Sequence, residues 1–290
     1  MLGMRFRLAL MLLLAASVGM AQLRVIAFGA HPDDCDLGAG GLAAKLSQMG
    51  HKVKFVSLTN GDAGHHEMGG GMLAKRRRAE AQESGRRLGI EYEVLDNHDG
   101  ELLPTLDVRL QVIRRIRQWN ADVVISPRSN DYHPDHRNTG LVVQDAAYMV
   151  VVPNVAPDTP PIRKNPIFLH FQDRFQRPQP FRPDVAIDIG DVIDKKVDAL
   201  DAHVSQFYEW LPWVAGNLET ISKDKAERKQ QLLKARTRTI TPAVRAALEK
   251  YYGKEAAAKV VHYEAFEVSE YGSQPTEAEL RRLFPMVPQK

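Results

Sequence analysis

Residues 23–41 read LRVIAFGAHPDDCDLGAGG, and this stretch decides the fold. Leu23 to Phe28 is a short apolar run of strand type, and the glycines from Gly38 open a helical stretch reaching Met49. Between them, His31, Asp33, Asp34 and Asp36 crowd four ionisable side chains into a single turn. In an open parallel sheet, functional groups collect just beyond the carboxyl ends of the strands. The turn after residue 28 is therefore the first candidate site.

Outward from that stretch the chain keeps alternating between two periods. Strand-like runs at 53–58, 92–95, 123–126 and 167–171 are separated by helical patterns at 73–88, 108–119 and 138–151. Alternation of this kind signals βαβ units and a mostly parallel sheet. The proline-rich residues 152–165 must be a loop. A late strand is expected at 185–189, a helix over 191–210 and helical structure over 222–250. In the last of these, Thr241-Pro242 fits an N-cap followed by proline at the first helical position.

The chain has 290 residues, 44% hydrophobic and 26% charged, enough to bury one large core. Its formal charge of +3 and the lack of a charged tail call for no polyanionic partner. Residues 1–21 differ from the rest. Arg5 and Arg7 precede the apolar run 8–16, and Gly19-Met20-Ala21 offers small residues for cleavage. That order reads as a secretory signal peptide, too short in its apolar part to span a bilayer comfortably. An uncleaved anchor is the rival reading. We expect an exported, periplasmic or extracellular, mature chain starting after Ala21, with no membrane span. Cys35 is the only cysteine, so neither an intramolecular disulfide nor a cysteine-based zinc site can form.

A second cluster, Asp131-Tyr132-His133-Pro134-Asp135-His136, follows the 123–126 strand and so opens onto the same sheet edge as the first. One histidine from each cluster with one carboxylate makes a three-ligand set suited to catalytic zinc, leaving a position for water. Iron(II) also accepts two histidines and a carboxylate. A neighbouring carboxylate would stay free as a general base. The bland alternative is that both clusters merely cap helices.

GAHPDDCDLGAGG resembles the AHPDD-x-(E/D)-x-G-x-x-G signature of the LmbE/PIG-L-like zinc de-N-acetylases, and HPDH is similar to that family's second motif. Ala202-His203-Val204-Ser205-Gln206 and Tyr263-Glu264-Ala265-Phe266 resemble two later segments of the family. The resemblance implies an α/β, Rossmann-like fold: a mostly parallel sheet with helices on both faces. It implies one domain over 22–290, with a core of about 23–210 and a C-terminal strand and helical extension of about 211–290. It makes His31, Asp34 and His136 the metal ligands, Asp33 the general base, and His133 the group that stabilises the oxyanion or protonates the amine. Arg77 and Asp99 match positions that often face substrate, and Asp135 and His203 are expected to support the site from behind. The implied reaction is zinc-dependent hydrolysis of an N-acetyl group on an N-acetylglucosamine-type substrate. A zinc amidase acting on a non-sugar amide or thiol conjugate, and a non-catalytic, metal-dependent carbohydrate-binding envelope protein, are the alternatives. A free Asp33 argues against the second, because a structural site needs no base.

A nucleotide-binding reading fails, because carboxylates stand where a G-x-G-x-x-G turn would meet pyrophosphate. The basic run Lys75 to Arg78 with Arg86 and Arg87 is interleaved with Glu80 and Glu83, which favours a salt-bridged helix face over nucleic-acid binding. Residues 60–72, with His65 and His66, read as a mobile loop at the site mouth rather than as ligands. Phe207, Trp210, Leu211 and Trp213 read as packing, a dimer patch or a sugar-stacking platform.

Overall fold

The computed structural model of the protein describes residues 22–289. The expected signal peptide therefore lies outside the described residues. Seven strands form one sheet, in the order β3-β2-β1-β4-β5-β7-β6. They are β1 (Arg24–Gly29), β2 (Lys52–Thr59), β3 (Glu91–Asn97), β4 (Val123–Ser126), β5 (Ile167–Phe171), β6 (Val185–Asp188) and β7 (Tyr263–Gly272). The first five run parallel, and β7 lies antiparallel between β5 and β6.

Side-chain alternation along β1 shows why the sheet needs covering on both faces. Val25 and Ala27 enter one core cluster, with residues of helix α1 (Asp34–Gln48), whereas Ile26 and Phe28 enter the other. That second cluster is built with α3 (Leu106–Trp119) and α4 (Pro134–Met149). A strand apolar on both faces belongs in the middle of a helix-covered parallel sheet. Helices α2 (Gly70–Leu88) and α5 (Ile193–Ala202) pack on each other and, with α1, on the first face.

The strand order reverses between β1 and β4, which are direct neighbours. Loops leaving their carboxyl ends part to opposite faces there and open a crevice. The two histidine-aspartate turns are those loops. Gly140 lets α4 lie close to the loop after β4: a Cβ there would meet the Arg128 backbone at 2.6 Å.

Three expectations change. The helix after β1 starts at Asp34, earlier than residue 38, and carries Asp34 and Asp36 in its first turn, where the helix dipole favours acids. The helix expected over 191–210 breaks at His203, whose ring turns towards Asp36; the Ser205 N–H and hydroxyl go to Glu80. Side-chain partners of this kind compete with the helical ladder, and residues 205–210 continue as a wider π-type turn into α6 (Leu211–Val214). The 222–250 region is two helices, α7 (Lys225–Arg236) and α8 (Pro242–Tyr252), capped by Asp224 and Thr241. Pro242 holds Thr241 extended, so the first helix cannot run on. Short helices α9 (Lys254–Lys259) and α10 (Glu277–Leu283) flank β7. The extension is thus no appendage, because β7 is an interior strand of the sheet.

Strand β7 also reaches the site's helix. Helix α1 departs from helical geometry at Ala39 (φ −143°), leaving the next N–H groups without an intrahelical start. The buried Glu264 carboxylate of β7 accepts from Gly41 N (2.8 Å) and Leu42 N (2.7 Å), and Lys196 Nζ pairs with it at 2.6 Å. Glu264→Ala strands a buried ammonium and two amides, so unfolding free energy should fall by about 3–5 kcal/mol. Denaturant titration checks this; a change under about 1 kcal/mol would show the network to be dispensable.

Candidate metal and catalytic site

The two turns converge. Asp34 stands at the first position of α1, and its Oδ2 accepts from the backbone N–H groups of Ala30 (2.9 Å) and His31 (2.8 Å). His31 Nδ1 then lies 3.6 Å from that Oδ2 and 3.2 Å from His136 Nε2, and His136 Nε2 lies 3.4 Å from Asp34 Oδ1. Donor atoms bound tetrahedrally to zinc at about 2.0–2.2 Å stand about 3.3–3.6 Å apart. The three approaches are close to those lengths, with the Asp34 carboxylate offering Oδ2 to His31 and Oδ1 to His136, and two imidazole nitrogens with one carboxylate are the right donor chemistry for zinc.

Each ring is held from behind. His136 Nδ1 is 3.0 Å from Asp131 Oδ1, and His31 Nε2 is 3.0 Å from Asp99 Oδ1 and 3.3 Å from Asp135 Oδ2. Asp135 is fully buried and also accepts from Gly100 N (2.7 Å) and Leu102 N (3.2 Å). A second grouping, His31 with Asp99 and Asp135, is close enough to hold an ion, as is His31 with His133 and His136. In the first of these, however, amides engage both oxygens of Asp135, whereas Asp34 takes both of its amides on Oδ2 and leaves Oδ1 open. In the second, His133 Nδ1 already accepts from Asp135 N at 3.2 Å. The His31–Asp34–His136 triangle best leaves its donors free for a metal.

Burial opposes charge on His136, but the Asp34 carboxylate and the ring's hydrogen bonds to Asp131 and Asp34 outweigh it and raise its pKa to about 10. Burial likewise works against a charged His31; Asp135, Asp34 and Asp99 more than compensate, and its pKa rises well above the ordinary value. Asp34 goes the other way, held well below the carboxylate range against burial by His136 and His31. Metal must displace these protons. Apparent metal affinity should therefore rise with pH from about 5 to 9, by up to tenfold per pH unit for each proton displaced. Calorimetry in two buffers of different ionisation heat counts the protons released, and a count of zero would contradict protonated rings.

Asp33 occupies the N-cap position of α1 beside the triangle without a side-chain capping bond, and is buried. Burial raises its pKa, the Arg77 charge works against that, and Asp34 adds to it. The result is a carboxylate more basic than usual. His133, the cap of α4, has its pKa lowered by burial and by the His31 and His136 charges. With Nδ1 accepting from Asp135 N, the neutral ring carries its proton on Nε2.

Other expected residues are placed differently. Arg77 is only 2% exposed and reaches Asp33 Oδ1 (3.4 Å), Asp99 Oδ2 (3.7 Å) and the Pro32 and Gly61 carbonyls rather than open cleft. Asp99 lies against His31. Both back the machinery from within the structure instead of projecting towards a substrate. His203 sits fully buried, 3.2 Å from Asp36, which Tyr92 and Ser84 also contact, one layer removed from the triangle. Asp131 is the residue the sequence reading left without a role. Its signal was local: a carboxylate two residues before a candidate histidine, which also accepts from His133 N at 3.0 Å.

Residues 60–72 are pinned rather than loose. His65 stacks on His66, His66 on Trp213 and Trp213 on Trp210, with centroids 4.6, 5.2 and 5.3 Å apart. His65 Nε2 also meets Glu209 at 2.8 Å, and Arg76 grips the same carboxylate with both its amines. Arg86 and Arg87 pair with Glu83, as expected of a salt-bridged face.

Residues 26–147 match the PIG-L family, described as GlcNAc-PI de-N-acetylase. A diacetylchitobiose deacetylase of Thermococcus kodakarensis is 32% identical over 198 residues, spanning 66% of this chain and 73% of its own. This chain belongs to the PIG-L de-N-acetylase family. It is accordingly an enzyme, a hydrolase of deacetylase type. A 1D-myo-inositol 2-acetamido-2-deoxy-alpha-D-glucopyranoside deacetylase of Corynebacterium jeikeium is 36% identical over 43% of this chain and 50% of its own. The solved N,N'-diacetylchitobiose deacetylase of Pyrococcus horikoshii superposes with a TM-score of 0.63 at 27% identity, covering 84% of this chain and 83% of that one. A 4-oxalmesaconate hydratase of Pseudomonas putida is also similar, at 25% identity over 65% of this chain and 76% of its own.

Proposed function

We propose that this PIG-L protein is a zinc-dependent de-N-acetylase of an N-acetylglucosamine-type substrate, exported after loss of residues 1–21. One observation carries the reading: a His31–Asp34–His136 triangle with edges close to those of a tetrahedral site, next to a buried carboxylate, Asp33, that is not part of it. A zinc ion held there supplies Lewis acidity for water and for the amide carbonyl. Asp33 accepts the proton of the attacking water, which its raised proton affinity suits. His133 presents its Nε2–H to the oxygen that becomes negative as the carbonyl carbon turns tetrahedral. The C–N bond then breaks as the nitrogen takes up the proton that Asp33 received from the water, and acetate and a free amine leave. Asp131, Asp135 and Asp99 keep the two metal-facing rings oriented, as carboxylates behind such histidines do.

The test is acetate release from a panel of N-acetylated mono- and disaccharides by the full mature chain. Activity should disappear with a chelator and return with Zn²⁺. Acetate release that is indifferent to chelation would refute the metal-dependent reading. The hydratase relative motivates a second reading, water addition to an unsaturated carboxylate. Loss of the conjugated absorbance of such a substrate, with no acetate from any sugar, would select it.

A further inference from the structure

The sheet carries a second cavity on the face away from α1. Along β5, Leu169 and Phe171 face the first core cluster, and along β7 Phe266 and Val268 do the same. Side chains alternate along a strand, so His170, Glu267 and Ser269 project to the other face, the one α4 covers. His170 and Glu267 stand opposite each other in the β5–β7 ladder. With Asn130, Gln144, Gln179 and Tyr271 they line a cavity of about 310 Å³. Arg128 belongs to its wall and also to that of the cavity lined by Asp34, Asp131 and His136. The two cavities therefore lie back to back across residues 127–131.

The cations of this cavity are already matched. Arg128 grips both oxygens of Asp173 (2.6 Å each), and Arg182 both of Asp184 (2.8 and 3.0 Å). What remains open is neutral or acceptor in character. Glu267 is 6% exposed; its Oε2 accepts from Arg182 N at 2.8 Å, whereas its Oε1 takes no hydrogen bond among the described residues. His170 Nδ1 is buried without a partner, and burial lowers the pKa of the ring, which is therefore neutral. Among the described residues the side-chain amides of Asn130, Gln144 and Gln179 make no hydrogen bond either, Gln179 being held through its backbone carbonyl. Carboxylate, amides and neutral imidazole set donors and acceptors side by side, as sugar hydroxyls, each donor and acceptor at once, require. Tyr271, 48% exposed, adds an aromatic face for the C–H side of a pyranose ring.

We propose that this cavity binds a sugar ring of a neutral glycan, farther along the same chain than the N-acetylated unit at the metal. The preferred substrate is then an oligosaccharide or polysaccharide rather than a free amino sugar. The inference rests on the deacetylase reading for turnover, whereas the binding of the ring does not need it.

The experiment has a binding arm and a turnover arm, both on the zinc-loaded full chain. Cellotriose, a β-1,4-linked glycan with no amide to hydrolyse, is titrated calorimetrically. Its Kd should rise about three- to tenfold in each of Glu267→Gln and Tyr271→Ala. Tyr271 is exposed, so its loss leaves the core intact and the test does not depend on how the buried Glu267 variant folds. For turnover, acetate release from N-acetylchitohexaose is compared with that from N-acetylglucosamine. The hexamer-to-monomer ratio of kcat/KM should be about 10 or more, and should fall by the same three- to tenfold in each variant. Cellotriose that does not bind, binding that survives both substitutions, or a ratio that neither substitution changes overturns the proposal. Cellotriose binding that needs both residues, with no acetate from either N-acetylated sugar, would leave this cavity standing and remove the deacetylase reading instead.

Discussion

Asp33→Asn should keep a full equivalent of metal while kcat falls by about 10²–10⁴-fold, the usual loss on removing a general base. The substitution keeps the shape of the side chain and deletes its proton acceptor. Metal should stay, because the three donor atoms belong to His31, Asp34 and His136, and Asp34 is fixed by two backbone amides that Asp33 does not touch. The fold should survive too. Arg77 loses one counter-charge but keeps Asp99 and the carbonyls of Pro32 and Gly61. Metal analysis, melting temperature and acetate release on one preparation give the three answers together. Near-normal turnover, or loss of metal, would end the division of labour between the two adjacent aspartates.

His136→Ala should do the opposite, losing the metal and with it the whole of the catalysed rate. Two donors cannot replace three, and the ring also ties α4 to the start of α1 through its 3.4 Å approach to Asp34 Oδ1. His31→Ala should behave alike and in addition leave Asp99 and Asp135, now without their shared cation, facing each other. A variant that retained stoichiometric zinc in the same place would show that His133, 4.6 Å from His31 between ring centroids, is the true third donor.

The part of this site that could be read from the sequence is the part made locally. Each histidine-aspartate cluster is a strand-to-helix turn, so its residues are positioned by their own neighbours, and the alternation of strands and helices brings the two turns to one sheet edge. Asp131 was within reach for the same reason, since it contacts residues two and five positions on. What escaped is what distant segments impose. Arg77 reads as one more cation on a charged helix, and only the packing of α2 against the turn holding Asp33 buries it. The break at His203 follows from Asp36 and Glu80, more than a hundred residues earlier.

The carboxylate that Glu264 lends to α1 has a consequence for the order in which the molecule assembles. The amides it satisfies lie 223 and 222 positions upstream, so the helix that presents Asp34 stays unfinished until almost the whole chain has been synthesised. A nascent chain through residue 210 would contain every proposed metal ligand and yet leave β5 as an unpaired edge, open to pairing with other chains. Contacts of such long range slow folding, and formation of the site should be its final, cooperative step rather than an early local event.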